Sequence, residues 1–140
     1  MNDYQIVYRL PTIEEYQDIS TSVGWTGELD LQVLTLSLKR SVFSVVVEHQ
    51  NQAIGMGRIV GDGYLYFYLQ DISVKEEFQQ HGLGELIVQS LLTYVETHTH
   101  EKSFVGLFTT SNVIPFYQKN DFHLTREVNG MYQFFQRAKK

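Results

Sequence analysis

The segment Gln79-Gln80-His81-Gly82-Leu83-Gly84 holds the residue types and spacing that most directly invite chemistry. It stands between an apolar, strand-like stretch and an amphipathic, helix-like one, within residues 65–92. A glycine turn that opens a helix leaves a row of backbone N–H groups unpaired. Together with the positive end of the helix dipole they make a seat for a phosphate or pyrophosphate. The turn is not a P-loop, because the Lys-Ser/Thr end is missing. It is not a dinucleotide fingerprint either, since the third glycine is absent and the strands before it form a meander. Asp71 is the only carboxylate between Asp62 and Glu76. Two readings stand for it: a general base, or a structural acid paired with Arg58 of the neighbouring strand. On an ideal strand Tyr66, Tyr68 and Gln70 share one face, and Asp71 and Ser73 share the other. His81 either touches a bound phosphate or is a solvated turn residue. His98-Thr99-His100 has a metal-like spacing with no third ligand nearby, so no metal site is expected.

These residues need a scaffold, and the composition says what kind. At 140 residues the chain is expected to be a single domain, 1–140. Apolar residues make up 43% and charged residues 19%, which favours a packed core over disorder. Aromatics reach 14%, with 9 Tyr and 9 Phe, so an aromatic-lined pocket is within reach. The net charge of -5 argues against a nucleic-acid partner. There is no cysteine, which excludes disulfides, thiolate metal sites and a cysteine nucleophile. Met1–Ile6 lacks the basic start and apolar run of a signal peptide, and no apolar run approaches the length of a membrane span. The expectation is a cytoplasmic protein with no membrane partner.

The pattern along the chain predicts the elements. Residues 5–10 alternate as a short strand. Thr12-Ile13-Glu14-Glu15 has capping-box spacing and starts a helix to about Val23. Leu31, Leu34 and Leu38 mark a second helix ending near Ser41. Residues 43–49, 53–60 and 64–74 read as an antiparallel meander, with Gly55 and Gly57 permitting close backbone approach. A helix then runs to about Thr97, with Leu83, Ile87, Leu91 and Val95 as its buried stripe. Residues 104–109 read as a central strand parallel to its predecessor across that helix. Ser111 or Asn112 caps a short helix with Pro115 in its first turn. Residues 122–128, the turn Asn129-Gly130, and residues 131–136 read as a hairpin. The fold class is α/β (α+β): a mixed, mostly antiparallel central sheet flanked by helices. The last hairpin leaves an edge strand able to pair in a homodimer.

In this context the glycine turn says more. Gln79-x-x-Gly82-x-Gly84, preceded by Ile72-Ser73-Val74, resembles the signature of the GNAT acetyltransferases. Ile114-Pro115-Phe116-Tyr117-Gln118-Lys119-Asn120-Asp121-Phe122 resembles that family's later motif, and the element order is also similar. The resemblance spans nearly the whole chain and is nearest to a bacterial branch of small, single-domain members. One departure is Asp121, where the family has glycine at a left-handed helix end; Asp tolerates that conformation at modest cost.

The resemblance implies acetyl-coenzyme A as co-substrate and a primary amine as acceptor. It implies that Gln79, Gln80, His81, Gly82, Leu83 and Gly84 hold the pyrophosphate, that Ile72, Ser73 and Val74 line the coenzyme, and that Asn112 and Tyr117 contact it. An amine whose pKa is about 10.4 must lose a proton before it attacks, so a base or water chain is needed. Asp71 is the candidate base, and water relayed by Gln70 or Tyr68 is the other route. Backbone N–H groups near Ile72–Val74 are the implied oxyanion donors. Tyr117 matches the tyrosine that often protonates the leaving thiolate; its other reading is a buried ring with a satisfied hydroxyl. Trp25, Tyr66, Tyr68, Gln70 and Phe108 are expected at the acceptor pocket, with Tyr132 near it. The expected function is direct acetyl transfer to a small-molecule amine with an apolar or aromatic body. A protein lysine or N-terminus is the alternative acceptor, and a coenzyme-binding regulatory module with little catalysis is the rival class.

Overall fold

A computed structural model describes residues 3–25, 27–99 and 102–135. The chain forms two compact units, Met1–Phe108 and Thr109–Lys140. The first holds β1 (Tyr4–Val7), α1 (Ile13–Ser22), α2 (Leu31–Lys39), β2 (Phe43–His49), β3 (Gln52–Gly61), β4 (Tyr66–Val74), α3 (Leu83–His98) and β5 (Phe104–Gly106). In the second, a 3-10 turn at Ser111–Val113 leads into α4 (Ile114–Lys119).

Local chemistry sets the element ends. Thr12 and Glu15 form the reciprocal capping box that starts α1. Asp30 caps α2 by accepting from the N–H groups of Gln32 and Val33. Gln50 and Asn51 both take positive φ (49° and 63°) and turn β2 tightly into β3. That left-handed pair is the hairpin turn whose twist matches the flanking strands.

The sheet order is β1-β2-β3-β4-β5, antiparallel through β4 and parallel between β4 and β5 across α3. Met56 packs with Tyr16, Ile19, Leu34 and Leu38 beneath α1 and α2. Gly55 and Gly57, on either side of it in β3, turn the other way, toward Ile87 and Leu91 of α3. A Cβ on Gly57 would come within 2.5 Å of Ile87, so this glycine sets how closely α3 lies on the sheet. Leu83, Ile87, Leu91 and Val95 are all buried, as the helical stripe requires. Among the described residues no helix is long and apolar enough to cross a membrane.

Three expectations fail here. β5 is short and occupies the sheet edge, not its centre. Neither Ser111 nor Asn112 caps α4; Val113 is its N-cap, and the Asn112 side chain accepts from the Thr110 hydroxyl. The C-terminal hairpin is not formed over residues 122–135, and Gln136 lies outside the described residues. Asn129 and Gly130 do not take the paired positive φ of a two-residue hairpin turn. A two-stranded ribbon is marginal without a surface on which to bury one face. Among the described residues β5 is the last strand of the sheet.

Candidate active site

The site is built around β4. Arg58 of β3 pairs with Gln70, and Met56 pairs with Ser73, so Asp71 and Ile72 together face Gly57. This is a β-bulge, and Asp71 sits at its turn with φ 61°. A bulge re-aims the side chain it carries. Here it directs Asp71 toward α1 and α2. Its Oδ2 accepts from Arg58 Nε at 2.7 Å and its Oδ1 accepts from the Tyr16 hydroxyl at 3.0 Å. Arg58 in turn donates through Nη1 to the Ser37 carbonyl and the Ser41 hydroxyl, both at 3.1 Å. Both side chains of the ion pair are only 9% exposed. Burial, and secondarily the Asp71 charge, push the Tyr16 phenol well above its usual pKa, so it remains a donor. Asp71 thus has the structural partner expected in Arg58, and a second one in Tyr16.

Beyond the bulge, β4 loses its outer neighbour. Among the described residues β5 pairs with Tyr66, Phe67 and Tyr68, and no strand lies beside Leu69–Val74 on that side. Antiparallel pairing to β3 uses alternate backbone groups, so the others along Leu69–Val74 point to the open side. Ile72, Ser73 and Val74 lie on this half-paired stretch.

The open edge leads directly into the glycine turn. A 3-10 turn at Glu76–Phe78 is followed by Gln79, whose Nε2 donates back to the Val74 carbonyl at 2.9 Å. His81 Nδ1 lies 2.9 Å from the Gln79 carbonyl and 3.1 Å from that of Phe78, tying the turn to itself. Gln80 (φ 67°) and Gly82 (φ 78°) are left-handed. Gly82 is the N-cap of α3 and has no side chain to offer the first-turn amides. The first helical bond runs from Leu86 N–H to the Gly82 carbonyl. The amides of Leu83, Gly84 and Glu85 precede it and have no protein acceptor among the described residues. A Cβ on Gly82 would meet nothing within 4 Å, so the space beside this N-cap is open.

A cavity of about 310 Å³ lies between α1 and α2. Trp25, Leu29, Leu31 and Leu34 supply its apolar wall, while Tyr16, Gln17, Ser20 and Thr21 supply the polar one. None of the lining residues carries a charge. Of the residues expected at the acceptor pocket, Trp25 lines this cavity. Tyr66, Tyr68 and Gln70 instead share an exposed face of β4, beside Phe104. Phe108 is exposed and does not line the cavity.

In the second unit Tyr117 is half-buried, its ring 5.0 Å from that of Phe116 and 5.9 Å from that of Phe122. Burial raises its pKa, so the phenol keeps its proton at neutral pH. Its hydroxyl has no hydrogen-bond partner among the described residues. Asp121 closes α4 with φ 68°, the left-handed conformation expected of it. The Phe122 N–H then bonds the Tyr117 carbonyl at 3.0 Å.

A family model, the acetyltransferase (GNAT) domain, matches residues 40–124, more than half of the chain. The chain belongs to the GNAT acetyltransferase family. It is 26% identical over 125 residues to the uncharacterized N-acetyltransferase ycf52 of Porphyra purpurea, covering 86% of this chain and 70% of that protein. A Staphylococcus aureus protein described as a probable acetyltransferase superposes with TM-score 0.86 at 27% identity, covering 94% of this chain and 99% of that one. A GNAT family protein of Streptococcus pneumoniae superposes with TM-score 0.80 at 23% identity, covering 96% and 99% of the two chains. The protein is therefore an acyltransferase with the mixed-sheet fold of that family.

Within this GNAT domain some contributors were not foreseen. Tyr16 is one, because its carboxylate partner lies 55 residues away in sequence. Its signal was a tyrosine on the buried face of a helix, since a buried phenol needs a partner. Leu29, Leu31 and Leu34 read only as helix core. Among the described residues no cluster of His, Asp or Glu could hold a metal. His98 stacks on Tyr94, and its Nδ1 lies 2.9 Å from the Tyr94 carbonyl; His100 lies outside the described residues.

Proposed function

We propose that this GNAT domain moves an acetyl group from acetyl-coenzyme A directly to the primary amine of a small molecule. The observation that carries the reading is the half-open edge of β4 leading into the uncapped amides of Leu83, Gly84 and Glu85. A ligand with an extended amide-bearing arm and a pyrophosphate is complementary to that pair of features, and coenzyme A has both. Gln79, Gln80, His81, Gly82, Leu83 and Gly84 would hold the pyrophosphate, and Ile72, Ser73 and Val74 the arm, with Asn112 as a further contact. The bound coenzyme supplies an activated thioester.

The chain's own groups divide the remaining work. Free backbone amides at Ile72–Val74 donate to the oxygen on which charge develops. Tyr117 Oη holds the proton that the departing thiolate needs, and its raised pKa keeps that proton in place at neutral pH. Asp71 has both oxygens engaged, so it serves by holding the bulge and the N–H groups beyond it. Proton removal from the amine then falls to water relayed by Gln70 or Tyr68. The absence of cysteine supports direct transfer without a thiol-bound acyl group.

The acceptor side rests on the uncharged cavity with Trp25 and three leucines in its wall. Its volume of about 310 Å³ suits a compact body, at the lower end of small-molecule pockets. Polyamines and aminoglycosides carry several charges that this wall would leave unpaired. The test is release of free thiol from acetyl-coenzyme A with a panel of arylalkylamines, polyamines, aminoglycosides and lysine peptides. The expected result is turnover confined to monoamines with an apolar or aromatic body. Turnover only with lysine peptides would move the acceptor to protein. Coenzyme binding with no thiol release from any amine would make the domain a regulatory module.

A further inference from the structure

We infer that Tyr16 is a positioning residue for the proposed acetyl transfer, on which the inference rests: its ring walls the acceptor cavity while its hydroxyl sets the β4 bulge. Tyr16 lies on the buried face of α1 with Ile19 and Ser20. It lines the cavity together with Gln17, Ser20 and Trp25. It also borders the narrow gap lined by Gly57, Arg58 and Asp71. There its hydroxyl donates to Asp71 Oδ1 at 3.0 Å. One side chain thus touches both the space for the acceptor and the strand end proposed to hold the coenzyme arm.

The bulge needs such a hold. Asp71 has φ 61°, a left-handed conformation that costs an L side chain. A residue in that region keeps its conformation only when its surroundings over-determine it. Asp71 is held at both carboxylate oxygens and at its carbonyl. Arg58 Nε donates to Oδ2 at 2.7 Å, Tyr16 donates to Oδ1, and the Ser73 hydroxyl donates to the carbonyl at 3.1 Å. Arg58 and Ser73 belong to the sheet, whereas Tyr16 reaches the bulge from α1. Ile72 and Val74 follow in β4, so the aim of their N–H groups depends on where Asp71 turns.

Both helices of the cavity end on the same ion pair. α2 supplies Leu31 and Leu34 to the wall, and its Ser37 carbonyl accepts from Arg58 Nη1 at 3.1 Å. A body seated between α1 and α2 therefore meets the walls that position the carboxylate. A displacement of about 1 Å at a reacting group costs about 10²-fold in rate, so the Tyr16 hydroxyl acts on kcat and its ring on acceptor binding.

α1 has other anchors to the same region of the chain. Asp18 Oδ2 accepts from Lys75 Nζ at 2.9 Å, and Ser22 Oγ accepts from the Glu76 N–H at 3.0 Å. Loss of the Tyr16 hydroxyl therefore frees the bulge without freeing the helix.

Thiol release from acetyl-coenzyme A with phenethylamine, together with calorimetric coenzyme binding, tests this in the full chain. Tyr16→Phe keeps the wall and removes the bond. Its kcat should fall about 10–10²-fold, with the amine KM and the coenzyme Kd at the parent values. Para-aminophenylalanine in place of Tyr16 restores a donor and should recover most of that loss. Tyr16→Leu removes the ring as well and should also raise KM. Asp18→Asn loosens α1 elsewhere and should keep the parent kcat. With an active parent, four results would each overturn the inference: parent kcat in Tyr16→Phe, loss of its parent-like far-UV circular dichroism, an equal fall in Asp18→Asn, or no recovery with the aminophenylalanine. A parent that binds the coenzyme but releases no thiol would instead overturn the proposed reaction, and the inference with it.

Discussion

Asp71 and Tyr117 are two acids of the chain that differ in what their oxygen atoms touch. Asp71 is held from two sides, by Arg58 at 2.7 Å and Tyr16 at 3.0 Å, and Arg58 is itself held by α2. Tyr117 is packed among rings, and its hydroxyl meets no partner among the described residues. A group that must exchange a proton needs an uncommitted atom, whereas one that fixes a bulge needs every atom committed. On the proposed mechanism Asp71 is then a framework acid and Tyr117 the working one.

The sharpest way to break that division is Tyr117→Phe. The ring packing survives and only the hydroxyl is lost, so kcat for thiol release should fall by about 10²–10⁴-fold. Coenzyme affinity and the urea midpoint should stay at the parent values. An unchanged kcat would return Tyr117 to the status of a buried ring.

Asp71→Ala should act in the other currency. It leaves a buried guanidinium without its partner, which costs about 3–5 kcal/mol of stability. Equilibrium urea unfolding measures it. A loss under about 1 kcal/mol, with turnover abolished, would reverse the two roles.

The smallest effect concerns the framework away from the site. Hydrogen bonds from Arg9, opposed by some burial, hold the Glu15 carboxyl below its ordinary pKa. Because the folded value lies below the unfolded one, this stabilisation is complete at neutral pH. It is lost as pH falls from about 4.3 through the folded value. Glu15→Gln should remove that part of the acid-side decline in melting temperature, at a cost near 1 kcal/mol or less at neutral pH.

Much of this architecture was legible in the residues because it is local. The Thr12–Glu15 capping box, the buried stripe of α3, the close-packing glycines of β3 and the left-handed Asp121 each depend on a few neighbouring positions. So does the glycine turn that opens α3. The misses are non-local. Whether residues 122–135 become strand depends on the surface they meet, and the Asn129-Gly130 signal does not supply one. β5 was expected at the centre because its residues are apolar; among the described residues it forms an edge. The two readings of Asp71 could not be separated from composition, since Tyr16 and Ser37 reach the site only through the packing of α1 and α2 on the sheet.

The central claim is that the amides beginning α3 seat the pyrophosphate of the coenzyme. Calorimetric titration of acetyl-coenzyme A into the parent, Gly82→Ala and Gly82→Glu tests it most directly. Both substitutions carry the strain of a side chain at φ 78°, on the order of 1–2 kcal/mol in stability, and only Glu adds a negative charge at the turn. The account predicts binding to the parent, measurable binding to folded Gly82→Ala, and none to folded Gly82→Glu. Parent-like affinity in Gly82→Glu would contradict it.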